Sequence, residues 1–426
     1  MFSLDLTGSS TSGIGMDQIA YAVQSLLDSQ PQLKKVLLIG PDYTRFHSGG
    51  GFIANQFYHA LHPGVKVDLL IALGTHVAMT PGECQRMYGD IPYSSIQMHD
   101  WRTQTVRLGR VPAEYVGMVS DGIYAQGIDV EVNSLLFDHY DLIVSIGQVV
   151  PHEVVGMANH SKNIFVGCGG ASMINSSHIL GAFYGMERMM GRDKTPVRLV
   201  FDYASERYLA DLPILYIQTV TTAEGEGIHF HGLFMGQGRA PYEKAVELAR
   251  STNFTILDRP IDKAVVMLDE VEFKTTWLGN KSIYRTRMAM ADGGQLIVLA
   301  PGVAGFGEDR EIDALIRKYG YAGRENIIRY TQQHDDLKAN LSAAAHMIHG
   351  SSDGRFSVTY CTRYLSRSDV EKVHFQYMPY DEAVRRYDPQ TLGAGYNLLP
   401  DKQEVFYIPN PALGLWAYRK RLEEQI

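Results

Sequence analysis

KKVLLIGPDYTR, residues 34–45, decides the fold. Its first half, Lys34 to Gly40, is an almost unbroken apolar run, which suits a strand covered on both faces in a parallel sheet. It stops at Pro41 and turns through Asp42, Tyr43, Thr44 and Arg45. The same grammar recurs downstream. KVDLLIALG, 66–74, ends in Thr75-His76, and VEVNSLLFDHYDLIVSIG, 130–147, reads as helix or strand and then strand, ending in Pro151-His152-Glu153. A short strand over 94–100 puts His99 and Asp100 near its end. Helical stretches fall between, at FIANQFYHALH (52–62) and after Thr80-Pro81, a pair suited to the N-cap and first turn of a helix.

In open α/β sheets, ligands bind outside the carboxyl ends of the strands. Parallel strands would therefore gather Asp42, Arg45, His76 and His152 at one edge, although more than a hundred residues separate them in sequence. A second α/β segment begins near 260, with AVVMLD, a helix expected around KSIYRTRMAMADGG (281–294) and a strand at QLIVLAPG. The reading is a two-domain α/β protein with mostly parallel sheets and its active site in the cleft between them. Residues 1–260 form the first domain and 261–426 the second, whose tail packs back on the first.

Bulk properties narrow the class. The chain has 426 residues, with 45% hydrophobic and 20% charged, enough for sizeable cores. A net charge of −8 argues against a nucleic-acid binder dominated by phosphate contacts. No window approaches a membrane span. The N-terminal stretch MFSLDLTGSSTSGIG lacks a basic region followed by an apolar core, so a cytoplasmic protein is expected. Cys84, Cys168 and Cys361 are widely spaced and read as reduced thiols.

His152, Lys162 and His178 form the most informative set. Imidazole suits both proton transfer near neutrality and metal ligation. A desolvated lysine favours its neutral amine, which can carry a carbonyl-like group. Against this stands the plainer possibility that each is a satisfied structural side chain, or in the case of His76 a strand-end cap. Arg45 offers a planar fork for carboxylate or phosphate, or else a surface pair with Asp42. Gly49-Gly50-Gly51 could cradle phosphate before a helix, although it lacks the residues of a P-loop. The run from Asn280 to Arg287 carries several donors suited to an anionic or hydroxylated substrate, or to a solvated face. His229-Phe230-His231 alternates as a structural strand would.

These residues resemble the nickel-dependent lactate racemase superfamily of 2-hydroxy acid racemases and epimerases. The resemblance rests on Asp42-x-Thr44-Arg45, Gly74-Thr75-His76, and Pro151-His152-Glu153 followed by Lys162 and His178. It implies an isomerase with a nickel-pincer cofactor, a pyridinium-3-thioamide-5-thiocarboxylic acid mononucleotide. Lys162 would be its tether, His178 the nickel ligand, and Asp42 and Thr44 cofactor contacts. His76 and His152 would be the catalytic acid/base pair, with Arg45, Tyr284, Arg285 and Arg287 binding substrate. Dedicated biosynthetic enzymes would be partners, and neither nucleic acid nor membrane would be. The resemblance further implies that hydride leaves C2 while a histidine takes the hydroxyl proton, giving a planar 2-keto acid open to return from either face.

Several positions depart from the lactate pattern. Val77 follows the Gly-Thr-His motif where lactate enzymes are expected to carry Arg. Arg285 and Met288 replace Gln and Lys, and the loop before Lys162 is not the expected small, Gly-rich stretch. They point to a larger sugar acid, with gluconate and mannonate the leading pair. The alternatives are a short-chain 2-hydroxy acid racemase, a metal-dependent sugar-acid isomerase or dehydratase, and a non-catalytic sugar-acid-binding protein.

Overall fold

A computed structural model describes residues 2–9, 13–30, 32–224, 227–412 and 414–423. Met1 and residues 10–12, part of the N-terminal stretch read above for a leader, lie outside them. The chain divides into two compact units, one of Met1–Ser177 with Gly191–Asn253, the other of His178–Met190 with Phe254–Ile426. The sequence reading placed a single boundary near 260; the structure adds an excursion, His178–Met190, belonging to the second unit. No helix among the described residues is long and apolar enough to cross a membrane.

The first unit is built on a seven-stranded sheet. Its strands lie in the order Ser3–Thr7, Gly227–Gly236, Ile214–Glu224, Leu142–Gln148, Lys35–Pro41, Lys66–Ala72 and Ile96–Met98. The last five run parallel, and the first two add antiparallel pairs at one edge. The apolar runs are explained by burial on both faces: every residue from Val36 to Pro41 is buried. One face packs on helix Met16–Asp28, which buries Ile19, Ala22, Val23, Leu26 and Leu27 at helical spacing against Val36 and Leu38. Each such aliphatic side chain contributes roughly 1.5–3 kcal/mol when fully buried.

From strand Lys35–Pro41 the chain proceeds outward through Lys66–Ala72 to Ile96–Met98, then returns to Leu142–Gln148 on the opposite side. The order therefore reverses between Lys35–Pro41 and Leu142–Gln148, the crevice where doubly wound sheets bind ligands. The turns after these two strands carry Asp42, Thr44 and Arg45 on one side and His152 on the other.

Helix Pro81–Tyr88 starts as the sequence predicts, with Thr80 and Glu83 exchanging capping bonds and Pro81 in the first turn. The Gly49–Gly51 run is a packing device instead of a phosphate cradle. Gly49 adopts φ +68 and a Cβ there would lie 2.0 Å from the Phe230 ring, while one on Gly51 would lie 2.0 Å from the Met87 carbonyl.

The second unit has a six-stranded sheet, ordered Gln376–Pro379, Ser357–Thr362, Met290–Ala300, Ile261–Met267, Glu404–Ile408 and Gly395–Leu398. Only the last strand is antiparallel to its neighbour. The helix expected over 281–294 is confined to Lys281–Tyr284, and Met290 already pairs with Ile261 in the sheet. The excursion returns Met186 and Met190 to a cluster with Tyr284, Met288, Leu415 and Ala417.

Candidate functional site

In the first unit Asp42, Arg45 and His76, which follow two adjacent parallel strands, come together. Asp42 is buried at the start of the 3₁₀ turn Tyr43–Ser48. Its Oδ1 accepts from the Thr44 backbone N–H at 2.8 Å and the Thr44 hydroxyl at 2.5 Å. Its Oδ2 lies 2.9 Å from His76 Nδ1. Burial pushes the Asp42 pKa up, but the charge and hydrogen bond of His76, the Thr44 hydrogen bond and the charge of Arg45 outweigh it. The carboxyl is held well below the usual carboxylate range. An ionised carboxylate can only accept, so Nδ1 of His76 is the donor. In the neutral ring the lone pair then sits on Nε2.

His152 has the opposite polarity. It is buried, and its Nδ1 accepts the Val154 N–H at 3.1 Å, with Glu153 Oε2 at 3.7 Å. Its neutral ring therefore carries the proton on Nε2. Two imidazoles, following the strands on either side of Lys35–Pro41, are thus set in complementary tautomers, one to accept and one to donate.

Lys162 immediately precedes the single π-helical turn Asn163–Gly167. Asn163 Nδ2 anchors that turn on strand Leu142–Gln148 through the Ser145 hydroxyl at 3.3 Å and the Ile146 carbonyl at 3.2 Å. The Gly74 N–H donates to the Gly167 carbonyl at 2.9 Å, tying the His76 loop to the same turn. Lys162 keeps a partial opening to solvent, yet protein packs densely about it. Burial and the nearby Arg45 lower its pKa to about 8 against the opposing pull of Glu153 and Asp42, and Arg198 lowers it further. Near neutrality a usable fraction is therefore the free amine.

Arg45 is partly buried beside these groups, and its guanidinium makes no hydrogen bond or ion pair with any described residue. His99 is structural: its Nε2 donates to the Gly169 carbonyl and its Nδ1 accepts from Asn133 Nδ2, both at 2.9 Å. Burial lowers its pKa, as these neutral bonds require. His160 lies against Tyr216 and Tyr242, and burial lowers its pKa to about 3.

The remaining expected site residues lie in the second unit. His178 is in helix Ala171–Tyr184, at the point where that helix passes into the unit. Tyr284 is buried in the methionine-rich cluster, and Arg285 is buried with Nη1 on the Gly414 carbonyl at 2.9 Å. Arg287 requires correction as a substrate ligand. It is 2% exposed, and its three nitrogens bind Glu187 at 2.7 Å, the Ser351 carbonyl at 2.9 Å and Asp353 at 2.8 Å. It is the centre of a structural ion-pair network. Sequence reasoning passed over Arg198, whose guanidinium is wholly buried beneath the Lys162 loop; its place in a helix of mixed polarity gave no signal of burial. Among the described residues no three His, Cys, Asp or Glu side chains converge on a metal position.

The chain is similar to known proteins over its length and, more narrowly, over the segment that carries this site. Across its length the chain is similar to a structural-genomics crystal structure of a protein from Thermotoga maritima, with 25% identity, TM-score 0.82, and coverage of 96% of this chain and 99% of that one. It shares its fold with the lactate racemase apoprotein from Thermoanaerobacterium thermosaccharolyticum, with 17% identity, TM-score 0.72, and coverage of 95% and 93%. No curated protein matches the sequence. Residues 20–190, which carry Asp42, Arg45, His76, His152, Lys162 and His178, match the family model of the lactate racemase N-terminal domain. Over those residues the chain is similar to the lactate racemase N-terminal domain.

Proposed function

We propose that this protein is an isomerase that inverts C2 of a 2-hydroxy acid. The observation that carries the reading is the unpartnered, partly buried Arg45 guanidinium set beside an Asp42–His76 pair and an amine of lowered pKa. A carboxylate held by Arg45 in bidentate fashion would present its α-hydroxyl to the neighbouring imidazoles. His76, with Nδ1 fixed on Asp42, takes the hydroxyl proton at Nε2. His152, with its proton on Nε2, stands as the donor, and the roles exchange when the opposite epimer reacts.

The residues fit a nickel-pincer nucleotide. Lys162 has the free-amine character a covalent tether needs and Asp42 acts on it electrostatically, while by the resemblance alone the His178 imidazole would be the ligand of a metal otherwise held by the cofactor's own donors. Such a group would supply reversible hydride acceptance at C2, and dedicated biosynthetic enzymes would have to install it. The rest of the site orients substrate and manages the hydroxyl proton.

We favour a sugar acid such as gluconate or mannonate as substrate. Support comes from Val77, which is 77% exposed and leaves the position after His76 without the cation expected in lactate enzymes. Arg287 no longer contributes to that argument, and Tyr284 and Arg285 are assigned to substrate through the resemblance alone. The test is to produce the protein with the cofactor pathway, measure nickel and the mass added at Lys162, and screen 2-hydroxy acids from lactate to aldonates for C2 epimers. Aldonate epimerisation with lactate inert is the expected outcome. Full activity in K162A, or no epimer from any acid with the cofactor in place, would overturn the reading.

A further inference from the structure

Arg198 lies in the first turn of helix Pro196–Tyr208, and its side chain is 0% exposed. Nη1 donates to the Ser161 hydroxyl at 2.8 Å and the Asn159 carbonyl at 3.2 Å. Nη2 donates to the Met157 carbonyl at 2.7 Å, the Tyr242 hydroxyl at 3.0 Å and again Asn159 at 3.2 Å. Nε has no acceptor among the described residues, and the Tyr242 ring lies 4.5 Å from the guanidinium carbon. Every acceptor is neutral. Asp202, one helical turn on, is paired with Arg239. The Asp202 carboxylate feels the Arg198 charge, but no carboxylate among the described residues hydrogen-bonds to Arg198, and desolvating such a guanidinium is costly, so its retention points to a task.

Three of its acceptors, Met157, Asn159 and Ser161, belong to the loop that ends at Lys162. Within it Asn159 and His160 adopt φ +64 and +56, consecutive left-handed conformations that non-glycine residues seldom hold. Asn159 Nδ2 pins one end, on the Gly147 carbonyl and Gln218 Oε1, both at 2.7 Å. Arg198 ties the rest together. The charged groups acting on Lys162 are Arg45 and Arg198, which disfavour its ammonium form, and Glu153 and Asp42, which favour it; the neighbouring Cys168 thiol is kept protonated by burial.

We propose that Arg198 is the positioning residue of Lys162, locking the 157–161 loop that presents the lysine. The proposal deepens the tether reading and depends on it for its purpose, but its test uses apoprotein alone. Wild type, R198M and R198K are labelled with trace acetic anhydride across pH, the Lys162 peptide is quantified by mass spectrometry, and hydrogen exchange is followed over 156–163. In R198M loop exchange accelerates about tenfold or more, and the Lys162 labelling midpoint rises. R198K keeps the charge but not the fork, so its midpoint stays near wild type while exchange accelerates. A folded R198M with wild-type midpoint and wild-type exchange overturns the proposal. Should R198M not fold, unchanged exchange in R198K overturns it and faster exchange upholds it. Failure of the tether reading would show separately, as loaded wild type without added mass or nickel.

Discussion

Asp42→Asn changes one atom and inverts the proton pattern of His76. Asp42 Oδ1 receives two hydrogen bonds from Thr44, at 2.8 and 2.5 Å, and Oδ2 receives one from His76 Nδ1 at 2.9 Å. An asparagine must place its carbonyl oxygen where the two Thr44 donors point, because its NH₂ there would oppose both. The NH₂ then faces His76 and donates to Nδ1, which moves the imidazole proton to Nε2, where the proposed base needs its lone pair. Loss of a charge-assisted bond alone is worth about 1.5–3 kcal/mol, about 10- to 150-fold in rate. A wrong tautomer costs more, reaching about 10⁴-fold where an Asp-to-Asn change has that effect in serine proteases. We expect kcat for C2 epimerisation to fall between these limits with KM little changed, since Arg45 is untouched. Ring ¹⁵N NMR checks the cause independently: protonation sits on Nδ1 of His76 in wild type and on Nε2 in D42N. Turnover within threefold of wild type, or an Nδ1-protonated His76 in D42N, refutes the reasoning.

Three further outcomes follow from the same geometry. Because the folded pKa of Lys162, about 8, is below its ordinary value of 10.5, the folded state binds fewer protons than the unfolded state between them, and stability rises with pH across that window. K162M should therefore raise the apoprotein Tm most below pH 8, with the advantage shrinking toward pH 10.5; a pH-independent difference would contradict this. R45A should raise KM for every 2-hydroxy acid by about 10- to 100-fold, the loss of one charged contact, while leaving Tm within a degree or two, because Arg45 has no described protein partner. R287M should do the reverse, destabilising by about 3 kcal/mol in chemical denaturation, the lower end of the range for a broken buried pair because Glu187 and Asp353 stay partly hydrated; unchanged stability would remove Arg287 from the core of the second unit.

The parallel sheet and the meeting of Asp42, Arg45 and His76 were legible because burial on both faces writes itself as an apolar run, and such a run announces where it stops. Side chains whose environment is made by distant residues were not. Arg198 and Arg287 look like helix-surface cations in sequence, yet one sits under a loop forty residues earlier and the other is held by Glu187 and Asp353. The stretch over 281–294 is composed like a helix, but pairing of Met290 with Ile261 draws its second half into a strand. The complementary tautomers of His76 and His152 depend on a carboxylate 34 residues away and a local N–H, neither visible in spacing.

The excursion His178–Met190 also constrains how the chain can be made. The ribosome delivers it before residues 191–253, yet the cluster residues that receive Met186 and Met190, among them Tyr284, Met288 and Leu415, emerge only after that whole stretch has been made. Until then a methionine-bearing segment that carries His178 waits without its packing partners while the first unit closes on either side of it. A nascent chain stalled near residue 260 should thus display these methionines to chaperones and oxidants, and a fragment begun at Phe254 would lack Glu187, the partner of Arg287. The polypeptide cannot be cut into two independent halves at any single peptide bond.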